Sequence, residues 1–127
     1  MRTEIPIVRL IRERIAPGIE IPKPESGGGF MVKGWGTRRG EPALIYTIPN
    51  RRGGRPYEKG VTVSDFERAW RQLEAAGELT HAWFRANLPA CAAEGSCNFT
   101  TLGGIFQLLG LARYDTASRG RYTRAGG

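Results

Sequence analysis

The sequence predicts an α+β fold: an N-terminal helix, a β-hairpin, then three helices and a C-terminal β-hairpin. Three observations predict it. Two apolar runs, Phe30 to Trp35 and Ala43 to Ile48, flank a basic turn. Three later stretches carry apolar residues at helical spacing behind cap-forming residues. Two short strand-like runs close the chain. The 127 residues suit one domain, or one domain with an N-terminal appendage. That length buries a core without disulfide or metal staples. Hydrophobic residues at 40% and charged residues at 24% are ordinary for a globular chain, which argues against global disorder.

Ile5, Val8, Ile11 and Ile15 recur at helical spacing, with Arg9, Arg12 and Arg14 largely between them. They predict a short amphipathic helix with Pro6 in its first turn and Pro17-Gly18 as its stop. Ile19 to Gly29 holds Pro22, Pro24 and three consecutive glycines, and reads as a linker or long loop. Residues 1–29 thus form an N-terminal helix and linker, and residues 30–127 a single α+β domain. Phe30 to Trp35 and Ala43 to Ile48 make the hairpin, joined by the basic turn Thr37 to Pro42. Asn50 to Pro56 is a second basic loop, and Val61 to Val63 a short third strand.

Ser64-Asp65-Phe66-Glu67 fits a capping box, the Ser64 hydroxyl accepting from a backbone amide and Glu67 reaching back. Phe66, Ala69, Trp70 and Leu73 continue it as an apolar stripe, and Gly77 is the stop. Thr80 caps a second, short helix carrying Ala82, Trp83, Phe84 and Leu88, ended by Pro89. Pro89 to Cys97 reads as a loop. Asn98 or Thr100 caps a third helix, with Phe99, Leu102, Ile105, Phe106, Leu108 and Leu109, closed by Gly110. Leu111 to Tyr114 and Arg121 to Arg124 form the terminal hairpin. There is no internal repeat.

Formal net charge is +7, from 19 Lys and Arg against 12 Asp and Glu, and every cation except Lys23, Lys33 and Lys59 is an arginine. A basic excess on a small chain points to a polyanion. Arginine adds a planar fork of donors that matches phosphate oxygens and guanine edges. The competing explanation is an arginine-rich proteome. The flanks are basic and residues 60–84 acidic, an asymmetry more informative than the total. No apolar run spans a membrane and no signal peptide is visible, so a cytoplasmic location without membrane attachment is expected, with Cys91 and Cys97 reduced.

From Val61 onward the order is short strand, helix, short helix, loop, helix, hairpin. Over residues 60–124 that order resembles a winged helix-turn-helix domain. The resemblance implies that residues 98–109 are a recognition helix in the major groove and residues 111–124 a wing on backbone or minor groove. Arg113, Arg119, Arg121 and Arg124 would then be wing cations. Their alternative role is the charge that protects an edge hairpin from aggregation. The helix has no cation, so base reading would fall to Asn98, Thr100, Thr101 and Gln107. Asn and Gln pair bidentately with adenine, and Thr bonds a base or touches a thymine methyl. The alternative is that Asn98 and Thr100 are caps on a buried helix. Gly103-Gly104 costs roughly 1 kcal/mol per glycine in a helix interior. Close approach of DNA or of another helix, as in a homodimer, would offset it.

Arg51-Arg52-Gly53-Gly54-Arg55-Pro56 resembles the core of an AT-hook, with an extra glycine interrupting it. Arginines on a glycine-rich backbone enter a narrow minor groove. Arg38 and Arg39 in the hairpin turn extend the basic set. Trp35, Tyr46 and Tyr57 are placed to stack on unpaired bases, and Trp70, Trp83, Phe84, Phe99 and Phe106 read as core.

Catalysis is not indicated. His81 is the only histidine, and a Cys–His pair or a zinc site with Cys91 and Cys97 lacks the usual ligand spacing and a fourth ligand. Carboxylates are too scattered for a nuclease metal, and Gly27-Gly28-Gly29 lacks the lysine and hydroxyl of a phosphate loop. The expectation is a non-enzymatic, cofactor-free nucleic-acid binder, preferring double-stranded DNA. The rival is a protein-interaction module, such as an accessory or inhibitor subunit from mobile DNA, docking on an acidic partner. A small hydrolase using Cys91 or Cys97 with His81 is a weaker rival.

Overall fold

The computed structural model describes residues 6–24, 28–117 and 120–126. The fold is α+β, with five helices and two small antiparallel sheets among the described residues. Helix α1, Ile7–Arg14, buries Ile7 and Ile11 and leaves Arg12 and Arg14 outside. The amphipathic spacing drives this placement. The chain then turns through Ile15 and Ile21, both buried. Backbone bonds of 2.9 Å from Val32 N–H to Ile19 and 2.8 Å from Ile21 N–H to Phe30 tie this stretch to the first strand. The stretch expected as a linker therefore contributes to the core as far as Ile21.

Strands β1 (Met31–Arg38), β2 (Glu41–Ile48) and β3 (Tyr57–Thr62) form one sheet in that order. The first hairpin is tighter than the sequence suggested. Arg38 pairs with Glu41, so only Arg39 and Gly40 form the turn. Both have positive φ, 52° and 75°, the geometry that matches the twist of a two-residue hairpin.

Helix α2, Val63–Ala76, begins directly at the end of β3. Its capping box lies two residues earlier than expected: the Thr62 hydroxyl accepts from Asp65 N–H, and the Asp65 carboxylate accepts from Thr62 N–H. Ser64 is displaced from the cap because its hydroxyl and its N–H both donate to Glu41 on β2, at 2.6 and 2.9 Å. Phe66, Ala69, Trp70 and Leu73 face inward as the stripe predicted, and Gly77 ends the helix.

Strand β4, Glu78–Thr80, was not expected; it is too short to carry an alternation. It leads into α3, His81–Asn87, where Thr80 accepts from Trp83 N–H at 3.0 Å. The region expected as a loop contains α4, Pro89–Glu94. Pro89 ends α3 and opens α4, because a first-turn proline gives up an N–H that has no helical partner anyway. Helix α5, Cys97–Leu108, has Ser96 at its N-cap without a side-chain bond, so neither Asn98 nor Thr100 is the cap. Strands β5 (Ala112–Tyr114) and β6 (Arg121–Arg124) form the terminal hairpin. The second sheet has the order β4-β6-β5.

One cluster of buried apolar side chains runs from Ile7 and Ile11 through Leu44, Phe66 and Trp70 to Phe99, Phe106 and Tyr122. Burying each large side chain contributes about 1.5–3 kcal/mol. Phe106 meets both Phe66 and Trp70 edge-on, at centroid distances of 6.3 and 5.9 Å. No helix among the described residues is long and apolar enough to cross a membrane.

Candidate nucleic-acid interface

Helix α5 is a core helix. Every residue from Asn98 to Phe106 except Thr100 is buried. Asn98 is fully buried, accepts from the Tyr46 hydroxyl at 2.7 Å and donates to the Cys91 carbonyl at 3.0 Å. Burial, with Cys97 beside it, pushes the Tyr46 pKa far above its ordinary value, so the phenol stays a donor. The amide therefore ties β2 to α4 and α5 and is not presented to a base. Thr101 is also fully buried, and its hydroxyl has no hydrogen-bond partner among the described residues. Gln107 is half-buried with its Oε1 enclosed. The base-reading expectation is corrected for Asn98 and Thr101, and Gln107 keeps its acceptor out of reach. Thr100 alone of the four is partly accessible without an enclosed polar atom.

The glycine pair in α5 answers to the chain itself. A Cβ on Gly103 would collide with the Tyr122 ring, and one on Gly104 would lie 2.5 Å from Ile21 Cγ2 and 2.9 Å from the Pro22 carbonyl oxygen. Neither DNA nor a second copy is needed to explain the pair. The Ile21–Pro22 segment covers α5 from one side and β6 from another, which is why its stretch from Thr101 to Phe106 is buried throughout, whereas Leu108 at its end is exposed.

The predicted arginines separate into committed and free. Arg39 bridges Asp65 at 2.5 Å and Glu94 at 2.6 Å, clamping the hairpin turn onto α2 and α4. Partial burial lowers its pKa, but these two carboxylates outweigh the effect and hold it above the ordinary arginine value. Arg121 pairs with Asp115 and with Glu78, the latter at 3.2 Å, and Asp115 leads in holding its pKa up. Arg124 donates to the Glu74 carbonyl at 3.2 Å, near the C-terminal end of α2 where carbonyls lack helical partners. Arg38 donates to the Thr37 carbonyl at 2.9 Å and lies over Gly60. Arg39 and Arg121 are thus structural cations, which corrects their assignment to phosphate. Arg119 lies outside the described residues.

Arg51, Arg52, Arg55 and Arg113 are exposed and form no ion pair among the described residues. The loop holding the first three is closed by Asn50, which accepts from Arg52 N–H at 3.1 Å and donates to the Arg55 carbonyl at 3.2 Å. A backbone bond of 3.0 Å from Gly53 to Asn50 completes the turn. Three guanidinium groups therefore project from a held turn. Arg113 lies opposite Thr123, and Thr123 opposite Glu78, so the outer face of the second sheet carries Arg113 beside the neutralised Arg121.

The sequence reading missed a second cationic surface. Arg68 and Arg71 lie on the exposed side of α2, opposite its apolar stripe. With Gln72, Trp83 and Asn87 they line a cleft of about 290 Å³ between α2 and α3. Arg68 also lines a second cleft of about 320 Å³ that reaches Ser64, Leu88 and Ala90. Neither arginine forms an ion pair among the described residues. The signal was their i, i+3 spacing on the best-defined helix. Counting residues 60–84 as an acidic segment averaged over opposite faces and hid it.

No known protein family matches the chain, and no curated relative or solved structure matches it either. The described residues contain no group of three or more His, Cys, Asp and Glu able to hold a metal ion. Burial, and Asp65 close by, push the Cys91 thiol pKa well up, which keeps it protonated and a poor nucleophile.

Proposed function

We propose that this chain is a nucleic-acid-binding protein that grips double-stranded DNA by its phosphates through exposed arginines. The observation that carries the reading is that the arginine excess is not consumed internally. Arg51, Arg52, Arg55, Arg68, Arg71, Arg85 and Arg113 are exposed, and none forms an ion pair among the described residues. Each is a guanidinium available to displace counterions from a polyphosphate.

The connectivity supports a winged-helix reading. Helix, strand, two helices, helix and hairpin follow in order over 63–124, and the first strand pairs with the last to give the sheet order β4-β6-β5. Two features depart from the compact motif: α4 stands between the second and third helices, and α5 is covered. The proposal is therefore one of backbone contact without reading by α5. Two cysteines outside any disulfide suit a reducing, cytoplasmic setting.

A shift assay titrated with salt, on double-stranded DNA, single-stranded DNA and RNA, tests it. Affinity for duplex should fall steeply with salt, the slope of log K against log salt being about −0.9 per neutralised phosphate. Replacing Arg51, Arg52 and Arg55 by alanine should flatten that slope by about 2–3 and leave the melting temperature nearly unchanged. No binding at low salt, or a flat slope, overturns the reading and favours a module docking on an acidic protein.

A further inference from the structure

The cleft of about 290 Å³ between α2 and α3 is lined by Arg68, Arg71, Gln72, Trp83 and Asn87, two cations and no carboxylate. Both of its walls are held in place. Helix α2 is fixed by its Thr62–Asp65 capping box and by the buried Phe66, Ala69, Trp70 and Leu73. Helix α3 is fixed by its Thr80 cap and by the fully buried Phe84. Arg68 and Arg71 stand at i, i+3 on one face of α2, which sets their Cβ atoms about 5–6 Å apart. Neither forms an ion pair among the described residues. Glu67 and Glu74 share with Arg71 a different cleft, between α1 and α2. Glu41 and Asp65 share with Arg68 the cleft beside the start of α2, where Ser64 and Arg39 already engage them.

Cations of one sign in a cleft with low-dielectric walls focus their field on whatever enters it. The amides on the lining add donors. The Asn87 side chain donates to the Trp83 carbonyl at 3.0 Å, and the Gln72 side chain to the Glu78 carbonyl at 3.5 Å. Each amide keeps a second N–H beyond that bond. Two planar guanidinium forks with amide N–H groups beside them match the oxygens of a phosphate. We propose that this cleft seats one phosphate of the nucleic-acid backbone, held by Arg68 and Arg71 from α2 and by Asn87 from α3. The proposal deepens the nucleic-acid reading and rests on it. To a general surplus of exposed arginine it adds one fixed seat, which sets where the duplex lies against α2 and α3. Phosphate contacts of this kind position a protein without reading sequence, in keeping with the buried middle of α5.

Salt-titrated binding of the full chain to two duplexes of unrelated sequence tests the seat. Arg68→Gln with Arg71→Gln should flatten the slope of log K against log salt by about 1–2, equally on both duplexes. Arg14→Gln, a charge loss on the exposed side of α1, should leave the slope unchanged. Arg68→Lys with Arg71→Lys keeps both charges and should keep the slope, while affinity falls about fivefold because an ammonium cannot fork. All three variants should melt close to the parent, as exposed substitutions do. In NMR spectra the duplex should shift the Arg68 and Arg71 Nε–H resonances, and a hexaglutamate peptide at equal charge concentration should not. An unchanged slope in the glutamine variant, or lysine variants that bind as tightly as the parent, overturns the seat. Shifts by hexaglutamate at lower concentration than duplex also overturn it, and name an acidic protein segment as the occupant. If the slope nevertheless flattens when Arg51, Arg52 and Arg55 are replaced, phosphate gripping stands without this seat. A parent that binds no duplex at low salt overturns both.

Discussion

Gly103 lies directly beneath the ring of Tyr122, so close that a methyl group at Gly103 would overlap three of the ring carbons. The contact locks α5 to β6. It also explains why the buried middle of this helix tolerates a residue that disfavours helix. Gly103→Ala should therefore destabilise the protein by about 2 kcal/mol or more, despite alanine's better helix propensity. Gly104→Ala should do the same, because the Pro22 carbonyl oxygen it meets cannot rotate away. Denaturant unfolding measures both, and a stabilised Gly103→Ala would show that the ring is not seated there.

Thr101→Val should raise stability by about 1 kcal/mol, since it removes a buried hydroxyl that has no partner among the described residues and keeps the shape of the side chain. The variant should bind duplex DNA as well as the parent does. Loss of binding without loss of stability would restore a base-contacting role to this residue.

Tyr46→Phe should cost about 1–3 kcal/mol, because the Asn98 carbonyl oxygen is left buried without its donor. Thermal unfolding of the variant checks this. A change below a few tenths would mean that the amide finds another partner.

Arg39→Met should cost about 1–2 kcal/mol, a figure reduced for the partial exposure of the guanidinium, which is 27%. Asp65 has its charge in a side chain only 9% exposed and loses its partner. The same substitution at Arg51, exposed and unpaired, should leave stability unchanged. Equal losses at the two positions would contradict the division into structural and free arginines.

Stability should fall as pH drops below about 6.5, the ordinary histidine value. Burial, with Arg85 adding to it, holds the His81 pKa below that value in the folded state. The unfolded chain therefore binds the proton first. The stabilisation is complete above the unfolded pKa and disappears as pH falls through the folded one. A second acid-linked loss belongs to Glu41, whose pKa the Ser64 hydroxyl and N–H hold down. Its contribution is present above about 4.3 and lost below. Denaturation followed from pH 8 to pH 3, with His81→Leu losing the upper step and Ser64→Ala shrinking the lower, separates the two.

The sequence was informative wherever a pattern is local. The Phe66-Ala69-Trp70-Leu73 stripe, the Gly77 stop, the Thr80 cap and the two hairpins all appear because each is a matter of periodicity or of one turn's chemistry. It was misleading at Ser64, where a carboxylate from another strand competes for the capping hydroxyl. At Pro89 to Glu94 it was misleading because a proline that ends one helix also starts the next. Of the candidate interface, the Arg51-Arg52-Arg55 loop was legible as a cluster in one turn. Arg68 and Arg71 were not, since their free exposure depends on what α3 leaves uncovered.

By itself the sequence determined the α+β class, the order of most elements, and an arginine surplus with no obvious partner. Only the tertiary structure decided which arginines are spent on Asp65, Glu94, Asp115 and Glu78. Only it decided that α5 is buried against its own chain from Thr101 to Phe106. The physical reason is that element type follows from neighbours a few positions apart. Burial and charge pairing are fixed by residues such as Ile21 and Gly104, or Arg39 and Glu94, which are distant in sequence and meet only on folding.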